Sequence, residues 1–188
     1  MRLDEARRAL ESALGSDKVF FEPLDRRSYQ DKFAVDDALH HPAGAVSPET
    51  VEEIQAVVAI VNEYRLPVFP IARGKNLGYG GTAPVMAGSV VMDLSRMKRI
   101  EFDAENGTVL LEPGVGFYDL YDYIQRHNLP YWLSTPGNSW GSVMGNALDR
   151  GVGYTPYGQH TENICGLEVM LANGEVVRTG MGAFSGAP

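Results

Sequence analysis

A single cysteine, Cys165, stands among 188 residues, and one thiol makes neither an internal disulfide nor a Cys-rich zinc site. Histidine is nearly as scarce, at four residues. His40 and His41 are adjacent, so their side chains diverge and read as solvated or locally capped groups; no metal is expected. No apolar run approaches the ~18 residues that span a bilayer. Met1-Arg2-Leu3-Asp4-Glu5 mixes both charges and lacks the apolar core of a signal peptide, so a cytoplasmic setting without membrane contact is expected. Positive charge is also short. Sixteen Lys and Arg face 24 Asp and Glu, a net charge of −8, which argues against a general nucleic-acid footprint. Internal repeats and low-complexity tracts are absent.

Glycine is what the chain has in plenty, 21 residues beside 11 prolines, concentrated in 74–88 and 136–158. The remainder reads as globular. Leu3, Ala6, Leu10 and Leu14 fall at helical spacing until Gly15 stops them. Residues 16–45 carry turn formers and charges with no clear period. Ser47-Pro48-Glu49 has the form of an N-cap, an N1 proline and a first-turn acid. The helix it would open buries Val51, Ile54, Val57, Val58 and Val61 and ends near Tyr64-Arg65. Strands are expected at Val68 to Ile71, Ser89 to Leu94 and Thr108 to Leu111. Phe117, Leu120, Tyr121 and Ile124 mark another helix, ending near His127-Asn128. Gly166 to Leu171 and Glu175 to Thr179 form a hairpin through Ala172-Asn173-Gly174, with positive φ expected at both Asn173 and Gly174. Cys165 is expected in the core of an apolar strand. The order of elements is α+β. Residues 1–46 read as a helix and irregular lead-in, and 47–188 as the domain proper. Gly182 to Pro188 adds no covering element, so a truncated chain is expected.

Two glycine loops carry the chemistry. The first, Arg73-Gly74-Lys75-Asn76-Leu77-Gly78-Tyr79-Gly80-Gly81, lets the backbone approach a ligand closely, and its N–H groups can converge on phosphate oxygens. The plain alternative is a solvated surface loop with two cations. Gly78-x-Gly80-x-x-Ala83 matches the dinucleotide fingerprint formally, but no helix opens there, so a nicotinamide site is excluded. The second loop runs from Thr135 to Gly158, and a loop of that length inside a compact domain is usually functional. Two separated glycine loops suit a ligand with a polyphosphate backbone.

Gly137-Asn138-Ser139-Trp140-Gly141 also matches the nucleophile elbow of serine hydrolases, with Asp149 and His160 following in order. The elbow needs a strand before it and a helix directly after it; Ser134-Thr135-Pro136 precede it and glycines follow. A serine hydrolase using Ser139, and a non-catalytic nucleotide-binding fragment, stand as alternatives.

Met144-Gly145-Asn146-Ala147-Leu148-Asp149-Arg150-Gly151-Val152-Gly153-Tyr154-Thr155-Pro156-Tyr157-Gly158 is similar to the second FAD loop of the vanillyl-alcohol oxidase and p-cresol methylhydroxylase flavoprotein family. The first loop resembles that family's pyrophosphate-binding loop, and the resemblance runs from about Ser47 to Gly182. It implies a PCMH-type FAD-binding domain of two small α/β subdomains with the cofactor between them, followed in family members by a cap domain. It further implies FAD contacts from Arg73, Gly74, Lys75, Asn76 and Gly78, then Pro136, Gly141, Ser142 and Gly145. Asn146, Asp149, Gly151, Gly153 and Tyr154 complete that implied set. Gly145 and Gly151 are expected to admit the pyrophosphate and to hold positive φ. The implied chemistry is hydride transfer from the benzylic carbon of a para-substituted phenol to FAD, with Tyr79 on the phenolate. Gly137 stands where the oxidase branch carries an aspartate, which places the chain nearer the methylhydroxylase branch. A c-type cytochrome subunit as electron acceptor, and a homo-oligomer, are the implied partners. Lys75 or Asn76 occupies the first-loop position where the wider superfamily often carries a flavin-linking histidine.

Overall fold

The computed structural model describes residues 2–31, 33–76, 81–137 and 139–184. Gly78 and Tyr79 lie outside the described residues. The first half is built on α1 (Arg2–Leu14), β1 (Val19–Phe20), α2 (Pro23–Ser28), β2 (Gly44–Val46), α3 (Val51–Tyr64), β3 (Val68–Ile71) and β4 (Val90–Asp93). The four strands form one sheet in the order β1-β2-β4-β3. β4 runs parallel to both neighbours, and β1 is antiparallel to β2. The central strands Gly44–Val46 and Val90–Asp93 are almost wholly buried, so both faces of the sheet are covered and neither strand alternates. One face packs on α1 and α3, through Leu10, Leu14, Ile54, Val57, Val58 and Val61 against Val46, Val90 and Met92. Each fully buried aliphatic side chain of that kind contributes about 1.5–3 kcal/mol.

The second half folds a hairpin, β5 (Ile100–Asp103) and β6 (Thr108–Leu111), over α4 (Phe117–Arg126). Val115, Leu120 and Ile124 fill the space between them, against Ile100, Phe102, Val109 and Leu111. After α5 (Val143–Leu148) the chain forms a last hairpin, β7 (Glu168–Met170) and β8 (Val176–Arg178). Its turn is tied to α3: Gln55 Nε2 donates to Gly174 O at 3.1 Å and Asn62 Nδ2 to Ala172 O at 2.7 Å.

The α+β class holds, and α1, α3, α4 and the final hairpin stand where the periodicity puts them. Four details differ from the sequence expectation. The N-cap of α3 is Thr50, whose Oγ1 accepts from Glu53 N at 3.2 Å. Ser47 is already committed to the sheet, since its N–H donates to Lys18 O at 2.9 Å. Residues 16–45 hold β1, α2 and β2, each too short to show a period. In the last hairpin only Gly174 has positive φ, at 85°, and Asn173 does not. Gly174 N donates to Leu171 O and Leu171 N to Glu175 O, so the connection is a three-residue loop closed by a left-handed glycine rather than a two-residue turn. Cys165 is exposed and lies ahead of β7, not inside a core strand.

Candidate functional site

α5 lies inside the second glycine loop, where the sequence shows only glycine and no period. Gly145 gives it poor intrinsic propensity, and an N-cap together with two tertiary hydrogen bonds holds it. The buried Ser142 hydroxyl accepts from Gly145 N at 3.0 Å and donates to Pro113 O at 2.6 Å. Thr161 Oγ1 donates to Ala147 O at 2.5 Å. Past the C-cap Asp149, Arg150 takes the left-handed conformation at φ 57°, and Gly151 N donates back to Asn146 O at 2.7 Å. The positive φ in this loop therefore belongs to Arg150, and neither Gly145 nor Gly151 has one. Ser142, expected as a cofactor ligand, has its only proton committed to Pro113.

The two glycine loops meet. A Cβ at Gly145 would stand 3.4 Å from Ala72 Cβ and 3.3 Å from Ser142 Cβ, so α5 packs on the start of the first loop without a side chain between. In that loop Gly74 is left-handed at φ 61°, and a Cβ there would overlap the Thr82 methyl group. The Arg73 guanidinium pairs with the Asp119 carboxylate and donates to Gly114 O at 3.3 Å. Its charge is thereby neutralised at the start of α4. The same stretch holds the second loop: Val143 N donates to Val115 O at 3.0 Å and Phe117 N to Gly141 O at 3.3 Å. Residues 113–119 thus join both loops. Gly116-x-x-Asp119 has the spacing of an N-cap and N3 acid, a signal that the sequence reading passed over.

Beneath α5 lies a relay of polar groups. His160 is buried, tilted against the Phe117 ring at 5.7 Å. Burial pushes its imidazole below the ordinary 6.5, partly opposed by the Ser134 backbone, so the neutral ring has one donor and one acceptor nitrogen. Nδ1–H donates to Asn146 Oδ1 at 2.5 Å, and Nε2 accepts from the Ser134 hydroxyl at 3.2 Å. Ser134 has then spent its proton, so the 2.9 Å contact with Thr155 Oγ1 is a bond donated by Thr155. The relay explains two glycines expected to face a ligand. A Cβ at Gly151 would overlap the Asn146 carboxamide, and one at Gly153 would overlap Ser134 Oγ and stand 2.8 Å from His160 Nε2. It also dismantles the hydrolase alternative. Both His160 nitrogens are engaged by Asn146 and Ser134, not by Asp149 and Ser139, and among the described residues no strand stands at 131–137.

Other expected residues are placed as follows. Lys75, Asn76, Asp149 and Tyr154 are exposed at the surface of the junction, and Pro136 is half-buried. Among the described residues, chain neighbours aside, nothing lies within 4 Å of where a Cβ on Gly141 would stand, and one on Gly137 would meet Tyr154, its hydroxyl at 3.8 Å. Neither has positive φ. Protein packing does not require glycine at either position, so what they keep open is room beside the backbone. Asp119, Ser134 and His160 belong to the site's framework and were not among the residues expected to bind a ligand.

The FAD binding domain family matches residues 42–180 of the chain. The flavoprotein subunit of 4-cresol dehydrogenase (hydroxylating) from Pseudomonas putida is 47% identical over 177 residues, 93% of this chain and 34% of that protein. The crystal structure of p-cresol methylhydroxylase with substrate bound superposes with a TM-score of 0.94 at 45% identity, covering 98% of this chain and 36% of that one. The 4-ethylphenol oxidase of Gulosibacter chungangensis, in complex with isoeugenol, gives 0.94 at 36% identity over the same shares. The chain spans about a third of the length of these relatives.

Proposed function

The chain belongs to the FAD-binding domain family, on its vanillyl-alcohol oxidase and p-cresol methylhydroxylase branch, and from that premise we propose that it is the cofactor-holding part of a flavin-dependent oxidoreductase of para-substituted phenols. The observation that carries this reading is the junction of the two glycine loops, with Gly137 and Gly141 beside it open among the described residues. A cradle of that kind fits a pyrophosphate, whose oxygens take hydrogen bonds from backbone N–H groups that a side chain would screen. FAD, when bound, supplies the acceptor for a hydride leaving a benzylic carbon.

The chain's own part is to hold and orient. Backbone amides of residues 74–76 and 139–141 are the donors for the pyrophosphate, with the exposed Lys75 as countercharge. Asn146, its carboxamide fixed by His160, offers an oriented amide at the same junction. The Tyr79 hydroxyl donates to the phenolate oxygen of the substrate; that charge pushes electrons toward the departing hydride, and a donor that holds it lowers the barrier. Gly137 supplies no carboxylate, so the oxidase-type base is not offered at that position. A separate electron acceptor, a c-type cytochrome subunit, completes the proposal; the Pseudomonas putida relative is itself named as one subunit of its enzyme. The test is anaerobic mixing of the complete flavoprotein with 4-methylphenol. Bleaching of the flavin absorbance supports the reading, and a flavin that no para-alkylphenol reduces overturns the substrate class.

A further inference from the structure

We propose that Asp119 is a positioning residue for the cofactor: through its ion pair with Arg73 it clamps the two glycine loops in register, so that Arg73 serves the cofactor by way of Asp119 and not by holding phosphate. The proposal rests on the FAD reading above and deepens it.

Four observations carry it. Arg73 enters the first loop two residues after β3, and its guanidinium turns away from the exposed Lys75 and Asn76 toward the start of α4. There the Asp119 carboxylate receives it, in a pair of which 22% and 35% of the side-chain surface is exposed. The same carboxylate oxygen accepts the Gly116 N–H at 2.9 Å, so the pair and the helix cap are one unit. Gly116 is bare on that account: a Cβ there would collide with the Arg73 guanidinium. Finally, the stretch that bears Asp119 is bonded to the second loop by Val143 N to Val115 O, Phe117 N to Gly141 O and Ser142 Oγ to Pro113 O. The first loop thus reaches the second through Asp119.

The charge account points the same way. An arginine matched to a part-buried carboxylate brings little net positive charge to an anion, so attraction to a pyrophosphate falls to backbone amides and Lys75. Asp119 itself stays ionised. Burial works to raise its carboxyl, yet the Gly116 N–H and the Arg73 and Lys98 charges outweigh burial and hold it below the ordinary 3.8.

Two readings of Arg73 then separate on one variant. If Arg73 held phosphate, Asp119→Asn would release it, and FAD would bind as tightly or more tightly. If the pair is a clamp, Asp119→Asn weakens FAD binding by about tenfold or more, Arg73→Ala does the same, and the double variant is no worse than either single one. The experiment is titration of FAD into the apo form of the complete polypeptide, read by quenching of flavin fluorescence, with the melting temperature of each apo variant alongside. The conservative variant Arg73→Lys, which keeps a cation for Asp119 and leaves the Gly116 cap in place, is expected to retain most of the affinity that Arg73→Ala loses. An Arg73→Lys variant that melts like wild type yet binds no FAD overturns the clamp, as does Asp119→Asn with unchanged affinity. Should Arg73→Ala fail to fold, the near-isosteric Asp119→Asn decides alone. Wild type that binds no FAD would sink the cofactor reading, which is a different outcome from wild type and Asp119→Asn binding equally.

Discussion

Gly145 and Ala72 touch across the junction of the two glycine loops, with a Cβ at 145 standing 3.4 Å from that of Ala72. A single carbon at 145 would already stand at tight contact with Ala72 and Ser142, and nothing larger fits without a shift. Gly145→Val places two further methyl groups against Ala72 and Ser142, so either α5 or the first loop must shift. We expect at least a tenfold loss of FAD affinity, with the apo protein destabilised by about 1–3 kcal/mol from overpacking. Fluorescence titration and thermal melts check both numbers. The cause is steric, since Gly145 has no positive φ to lose.

His160 makes stability depend on pH in the neutral range. Its pKa is lowered in the folded state by burial, so the unfolded chain takes up a proton more readily than the native one. The native state is then most favoured above 6.5 and loses stability as the pH falls through 6.5 toward the lower native value. Melting temperatures measured from pH 7.5 down to 5 are expected to decline, and His160→Gln to flatten that decline while lowering the plateau. A decline of equal slope in His160→Gln would remove His160 as its source.

Tyr79→Phe separates substrate chemistry from cofactor binding. Loss of one donor to a charged oxygen in a closed pocket costs roughly 1.5–3 kcal/mol, one to two decades in kcat/KM. Flavin content is expected to stay full. The deficit narrows at high pH, where the phenol arrives already ionised. Wild-type kcat/KM at all pH values would take Tyr79 out of the site.

The parts of this fold that show in the sequence are those held by their own periodicity. α1, α3 and α4 each carry one apolar stripe long enough to count, and Asn173-Gly174 marks the last hairpin even though only the glycine is left-handed. What does not show is short or non-local. β1, β2, α2 and α5 span six residues or fewer, less than the period needs. The parallel pairing of β2 with β4 joins segments on either side of α3 and β3. As a group, the glycines of the second loop mark a stretch where backbone and side chains pack at close quarters. Singly they divide: Gly151 and Gly153 make way for Asn146, Ser134 and His160, Gly158 is left-handed, and Gly137 and Gly141 face open room among the described residues without a positive φ. Arg73 shows as a cation in the sequence, but its partner Asp119 lies 46 residues on, and no local pattern links the two.

Gly141→Ala tests the central claim, that the open backbone of the second loop is a seat for FAD. Among the described residues, chain neighbours aside, no atom lies within 4 Å of the added methyl group, and Gly141 has no positive φ, so the described packing has no cause to object. The account predicts an apo melting temperature within ~0.5 kcal/mol of wild type in equivalent stability, together with FAD affinity reduced about tenfold or more in the same preparation. Unchanged FAD affinity at unchanged stability would contradict it.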